Sequence, residues 1–60
     1  MHYLVRRTTF NRTFFEDYFC VPTQEYEKDY LLVCLDQEDL DLALRSGIEV
    51  QLFRDFVKPN

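Results

Sequence analysis

The fold is decided by residues 36–52, which read DQEDLDLALRSGIEVQL and predict a helix followed by a strand. Asp36 is a favoured N-cap residue, and the acids after it lie in the first turn, where the helix dipole stabilises negative charge. Gly47 is typical of a helix C-terminus, because glycine readily adopts the left-handed backbone conformation found there. Together these signals predict a helix over about residues 37–46.

The apolar residues of this stretch change from a helical period to an alternating one. Those that face the core from the helix are predicted to be Leu40, Ala43 and Leu44. Leu42 points away from that stripe, so we expect it to be exposed. After Gly47, apolar residues alternate with Glu49 and Gln51, which predicts a strand over residues 48–56. Its inward-facing residues are predicted to be Ile48, Val50 and Leu52.

Two further strands are predicted upstream of that stretch. Residues 2–10 are rich in β-branched and aromatic types, which favour strands. Residues 30–35 form a continuous apolar run, which is typical of a strand that is covered on both faces. The polar residues 23–29, which follow Pro22, predict a loop.

The aromatic segment over about residues 13–20 fits either a short helix or a strand that ends at Pro22. We favour a helix, because Thr13 and Glu16 have the spacing of a capping box. Its aromatic residues then fall on one helical stripe, which comprises Phe14, Phe15, Tyr18 and Phe19. We expect at least two of these four rings to pack in the core, and exposed ones to serve as apolar anchors for a partner.

The length of the chain limits it to a single domain. Its 60 residues are interpreted as one domain, residues 1–60, which buries about 60% of the surface that its unfolded chain exposes. The predicted elements make a small α+β domain with a three-stranded, mostly antiparallel sheet. The chain has six phenylalanines and four tyrosines, more rings than so short a chain hides. We therefore expect some of them at the interface of a homodimer or at a partner surface.

Charge is distributed unevenly along the chain. Nine of the eleven acids lie within residues 16–41, together with Lys28, whereas residues 1–15 contain three arginines and no acid. The net charge of −4 disfavours direct binding to DNA or RNA, which requires clustered Lys and Arg. Such an acidic surface either keeps a small protein soluble or imitates a phosphate backbone and occupies a nucleic-acid-binding groove of another protein.

The residue types that catalysis and cofactor binding require are scarce. One glycine excludes a glycine-rich phosphate loop, and His2 is the single histidine for a catalytic pair or a metal site. We therefore expect no enzymatic activity, no cofactor and no metal. Cys20 and Cys34 are interpreted as small buried apolar groups in a reducing compartment, with one disulfide as the alternative. No apolar run is long enough for a signal peptide or a membrane span, so we expect a cytoplasmic protein, in the host cytoplasm if the source is viral.

Recognition of another protein is the role that remains, and the acidic helix supplies the candidate surface. The expected contact residues are Glu38, Asp39, Leu40, Asp41 and Leu42, joined by Glu25 and Glu27 from the predicted loop. Helix capping is also a sufficient explanation for Asp36 and Asp39. Neither capping nor core packing explains Asp41 and Leu42, which are therefore the preferred contacts.

An acidic–apolar alternation on a helix, followed by a hydrophobic strand, resembles part of the small acidic uracil-DNA glycosylase inhibitors of tailed Bacillus phages. The residues that carry it are Asp39-Leu40-Asp41-Leu42-Ala43-Leu44, within a resemblance over about residues 29–56. It implies a homodimeric phage protein that mimics DNA and traps an apolar side chain of the enzyme's DNA-intercalating loop in a hydrophobic cavity. On that pattern Asp41 imitates a phosphate and Leu40 belongs to the contact helix. The chain departs from the family at Leu40, which replaces an aromatic residue, and in its long first strand.

A second resemblance is to the acidic, ubiquitin-like heterodimerisation domains of signalling scaffolds. It rests on residues 31–52, where Glu38-Asp39-Leu40-Asp41-Leu42-Ala43 leads into a closing strand. Those domains are longer, and their basic N-terminal strand pair is not evident here. The resemblance implies a general protein–protein interaction module, which is the alternative to the DNA mimic, as is a phage inhibitor of another host factor. A small subunit of a larger complex is the third interpretation, and a broad apolar surface without an acidic array would indicate it.

Overall fold

The computed structural model describes residues 1–55, which contain strands, helices and short turns. In chain order these elements are β1 (His2–Arg6), α1 (Thr9–Thr13), a π-helical turn that continues α1 (Phe14–Tyr18), β2 (Gln24–Tyr26), β3 (Tyr30–Cys34), α2 (Gln37–Arg45), β4 (Gln51–Leu52) and a 3₁₀ turn (Phe53–Asp55). The strand predicted over residues 48–56 included Phe56, which lies outside the described residues.

Within residues 1–55, four strands form one antiparallel sheet in the order β2-β3-β1-β4. The segment formed by α1 and the π-helical turn connects β1 to β2, and β3 lies between those two strands. Likewise α2 connects β3 to β4, and β1 lies between them. This is the split β-α-β connectivity of ferredoxin-like domains. Tyr3 of β1 lies between Val33 of β3 on one side and Leu52 of β4 on the other. The α+β prediction is confirmed, and the prediction of three strands is wrong.

The strand missing from the prediction is β2, which lies within the polar segment that predicts a loop. It pairs with β3 at the edge of the sheet, where Glu25 is opposite Leu31. Because backbone hydrogen bonds on one side hold an edge strand, it does not need an apolar sequence, and charged residues are common there. The turn into β3 places Glu27 in the left-handed region, with φ of 58°.

Side chains from one face of the sheet and from both helical segments form the core. Its buried members among residues 1–55 are Tyr3, Val5, Phe15, Leu31, Val33, Leu35, Ala43 and Ile48. Val50 and Leu52 pack against it, as the alternating pattern predicts, and so does Leu40. Leu44 was predicted to face inward but is 51% exposed, because it is rotated about 100° from the fully buried Ala43.

The first helical segment begins earlier than the sequence predicts. Thr8 is its N-cap, and the Thr8 hydroxyl oxygen accepts a hydrogen bond of 3.0 Å from the backbone N–H of Asn11. The side-chain amide of the buried Asn11 donates to the carbonyl of Arg6, 2.9 Å away, at the end of β1. The helix predicted over about residues 13–20 is therefore correct in type, whereas its capping box at Thr13 is wrong and β1 is shorter than predicted.

The helix predicted over about residues 37–46 is confirmed as α2, including both of its end signals. The carboxylate of Asp36 accepts a hydrogen bond of 2.8 Å from the backbone N–H of Asp39. Gly47 follows the helix with φ of 85°, a conformation that costs glycine little. The strand after it is shorter than predicted, because pairing with β1 begins at Gln51.

Candidate protein-binding surfaces

Three aromatic side chains lie in line on the outer side of α1 and the π-helical turn. The ring centroids of Phe10 and Phe14 are 6.1 Å apart, and those of Phe14 and Tyr18 are 5.6 Å apart. Phe10 is 65% exposed and Tyr18 is 77% exposed, whereas Phe14 is half-buried. We call Phe10, Phe14 and Tyr18 the aromatic row; its two end rings are exposed to solvent over most of their surface.

Helical periodicity explains why the three rings of the aromatic row lie on one side of the helix. Residues four apart lie one above another on a helix, so Phe10, Phe14 and Tyr18 share a side. Phe15 is rotated away from them and is fully buried, with its ring edge-to-face against that of Phe14. The aromatic residues predicted to form one stripe are thus divided, with Phe15 in the core and Tyr18 at the surface. Phe10 was missed because its segment was assigned to a strand, although its spacing of four from Phe14 was a readable signal.

The aromatic row forms one wall of an open groove of about 540 Å³. Beside the row, Thr9, Thr13 and Asp17 repeat the same spacing of four and also line the groove. Ser46, just after α2, also lines the groove. The groove is therefore mainly apolar, with hydroxyl groups toward the start of α1 and the Asp17 carboxylate toward the end of the π-helical turn.

Arg12 of α1 makes ion pairs with two carboxylates. Its guanidinium is 3.3 Å from the carboxylate of Glu25 in β2 and 3.9 Å from that of Glu16. Glu16 also accepts a hydrogen bond from the hydroxyl of Thr23. Glu25, a predicted contact residue, is thus held beside α1, where it shares the Arg12 guanidinium with Glu16. Glu27, another predicted contact, is exposed in the turn between β2 and β3.

The outer side of α2 carries the predicted contact residues that the structure brings together. Leu42 follows Glu38 by four residues. Asp41 follows Glu38 by three, and Arg45 follows Leu42 by three. Residues three or four apart are neighbours on a helix surface, so all four share one exposed side. Leu42 is 49% exposed, as predicted. The side-chain amide of Gln37 donates to the carboxylate of Asp41 over 3.1 Å. We call Glu38, Asp41 and Leu42 the acidic face.

The two other predicted contact residues of α2 lie outside the acidic face. Asp39 is half-buried, and its backbone N–H is bonded to the N-cap carboxylate of Asp36. Leu40 is half-buried and packs against the core. Their place on the helix suits capping and packing.

Both cysteines are free thiols with exposed side chains, so the prediction of buried cysteines is wrong. Cys34 ends β3, and the alternation of side chains along a strand turns it away from the core because Val33 faces inward. Cys20 follows the π-helical turn in the left-handed region, with φ of 56°. His2, the single histidine of the chain, is paired in β1 opposite Cys34.

Neither a metal-binding cluster nor a membrane-spanning helix is found among residues 1–55. No three His, Cys, Asp or Glu side chains in that part of the chain are grouped so that they could hold a metal ion. The helices described there also lack the length and apolar character needed to cross a membrane.

Comparison of the chain with protein-family models, with curated proteins and with solved structures finds no match.

Proposed function

We propose that this protein is a small, non-catalytic binding protein that blocks a basic, nucleic-acid-binding surface on another protein. The observation that carries the proposal is the acidic face, where the half-exposed Leu42 lies beside the carboxylates of Glu38 and Asp41. An apolar side chain with a charged surround suits an interface, because the apolar contact supplies affinity and the charges select a complementary partner.

The charge of the whole chain supports a basic partner. A net charge of −4 on 60 residues repels nucleic acid and speeds encounter with a positively charged surface. The resemblance of residues 39–44 to phage inhibitors suggests uracil-DNA glycosylase as the specific target. In that complex Asp41 would take the place of a DNA phosphate, and Leu42 would provide the apolar contact.

A uracil-excision assay with stoichiometric protein tests this proposal. We expect inhibition that persists at moderate salt, because salt screens charge pairs but not an apolar contact. Asp41→Lys should abolish the inhibition, and Leu42→Ser should weaken it. Glu49→Lys is the matched control, since it makes the same charge change at an exposed acid that lies outside α2. Full inhibition by folded Asp41→Lys would contradict the proposed contact.

The second candidate is a protein–protein interaction module with a different target, including an inhibitor of another host factor. The observation that favours it is Arg45, which lies one turn beyond Asp41 on the same side of α2. A face with charges of both signs suits a mixed protein surface better than a phosphate-binding groove. Unchanged uracil excision, together with a host protein captured by the parent chain and not by Asp41→Lys, would support this candidate over the first.

A further inference from the structure

We propose that the aromatic row is the contact surface of a homodimer, in which α1 and the π-helical turn of two copies pack in antiparallel orientation. A two-fold axis near Phe14 then places Phe10 of each copy against Tyr18 of the other. The inference is independent of the proposed function, because it concerns the aromatic row on α1 and not the acidic face on α2.

The exposure of the row leaves it available to another surface. Phe10 and Tyr18 are 65% and 77% exposed, and the groove of about 540 Å³ beside them offers room for rings from a second copy. Buried aromatic side chains remove roughly 150–250 Å² each from water. The row therefore leaves in solvent an apolar patch of a few hundred Å², the size that is often functional on a small protein.

The polar side chains beside the row favour a second copy as the occupant. Asp17 lies at one end of the polar line in the groove, and Thr9 lies at the other. In antiparallel packing each Asp17 carboxylate faces the Thr9 hydroxyl of the other copy, which is a hydrogen-bond donor. The first turn of α1, where Thr9 lies, contains no acid that would repel the Asp17 carboxylate. In parallel packing the two Asp17 carboxylates would face each other, so the surface is complementary to itself in one orientation.

The net charge determines how salt affects the dimer. Each copy carries a charge of −4, so two copies repel one another at long range. Salt screens this repulsion and leaves the contact between rings intact, so association should strengthen as salt is added. A basic foreign partner would respond in the opposite way. One row of three rings is smaller than the standard interface of about 800 Å² per partner, so we expect a weak dimer.

Sedimentation equilibrium measures the association directly, at protein concentrations from about 10 μM to about 1 mM, which span the range of weak dissociation constants. We expect the average mass to rise from 7.3 kDa toward twice that value, and to rise further with added salt. Phe10→Ser and Tyr18→Ser should each keep the protein monomeric, while circular dichroism confirms that the exposed substitutions leave the fold intact. Leu42→Ser is the matched control, because it removes an exposed apolar side chain from α2 and should leave association unchanged.

The orientation of the pair has a separate test. Thr9→Lys should strengthen an antiparallel dimer several-fold, because the new ammonium group faces the Asp17 carboxylate of the other copy. In a parallel dimer the same change would bring two ammonium groups together and weaken association. A mass of 7.3 kDa at every concentration, or a dimer that persists in Phe10→Ser and Tyr18→Ser, overturns the proposal. A dimer weakened by Thr9→Lys overturns the antiparallel arrangement.

Discussion

The guanidinium of Arg12 lies 3.3 Å from the carboxylate of Glu25 and joins α1 to the edge strand β2. Both side chains remain accessible to water, at 38% and 61% exposure. Exposed ion pairs contribute about 0–1 kcal/mol, because water screens the charges and two long side chains lose freedom. The contact therefore helps to position β2 beside α1 while adding little to the stability of the fold.

Arg12→Ala should lower the free energy of unfolding by less than about 1 kcal/mol. Urea denaturation at low salt measures the loss, and added salt should reduce it because it screens the pair. Glu25→Gln should cost a similar amount, and the double variant should cost less than the sum of the two single changes. A loss of more than about 2 kcal/mol from Arg12→Ala would show that the guanidinium has a structural role beyond an exposed ion pair.

Phe15→Ala should strongly destabilise the protein. The Phe15 side chain is fully buried, and removing such a ring costs about 3–5 kcal/mol. A domain of 60 residues has a total stability of roughly 3–9 kcal/mol, so the variant loses at least about a third of it. Thermal unfolding followed by circular dichroism measures the change. Leu42→Ala is the control, since its side chain is 49% exposed on α2 and its loss should change the melting temperature little.

The elements that the sequence predicts correctly are those whose ends are marked by residues within or next to the element. Asp36 and Gly47 mark the ends of α2 through their own backbone and side-chain geometry, so that helix is predicted almost to the residue. β2 has no such signal, because its identity comes from pairing with β3 and not from its side chains. The split connectivity depends on which strands pair over long separations, and hydrophobic period alone does not determine those partners.

The exposure of a candidate contact residue was predictable where it depends on helix periodicity, and not where it depends on contacts with other elements. The exposure of Leu42 follows from its angle to the core stripe of α2, and the structure confirms it. Phe10 was assigned to a strand because its neighbours are β-branched. The strand ends at Arg6, whose carbonyl accepts a hydrogen bond from the side chain of Asn11, and no pattern of apolar residues reveals that contact. Glu25 was predicted as a partner contact from its place in a polar segment, and its ion pair with Arg12 of α1 has no local sequence signal.

Gly47→Ala should destabilise the protein by roughly 1–2 kcal/mol, the cost of placing a side chain in left-handed backbone conformation. Gly47 has φ of 85°, and a Cβ atom added there meets no atom within 4 Å, so the cost comes from the backbone and not from a clash. Gly47→Asn should cost less, because asparagine tolerates this conformation better. Urea denaturation of both variants measures the difference. Equal costs for the two would contradict a purely backbone explanation.

Both cysteines should react with a disulfide reagent such as dithiobis-nitrobenzoate in the native protein, without denaturant. Cys20 and Cys34 are free and exposed, so each thiol is accessible to the reagent. We expect two equivalents of released thiolate from the parent chain and one equivalent from either Cys20→Ser or Cys34→Ser. Since surface substitutions change stability by at most about 0.5 kcal/mol, Cys34→Ser should unfold at nearly the same urea concentration as the parent. If Cys34 reacted only after unfolding, its side chain would lie in the interior. That result would contradict the strand alternation in which Val33 faces the core and Cys34 faces the other side of the sheet.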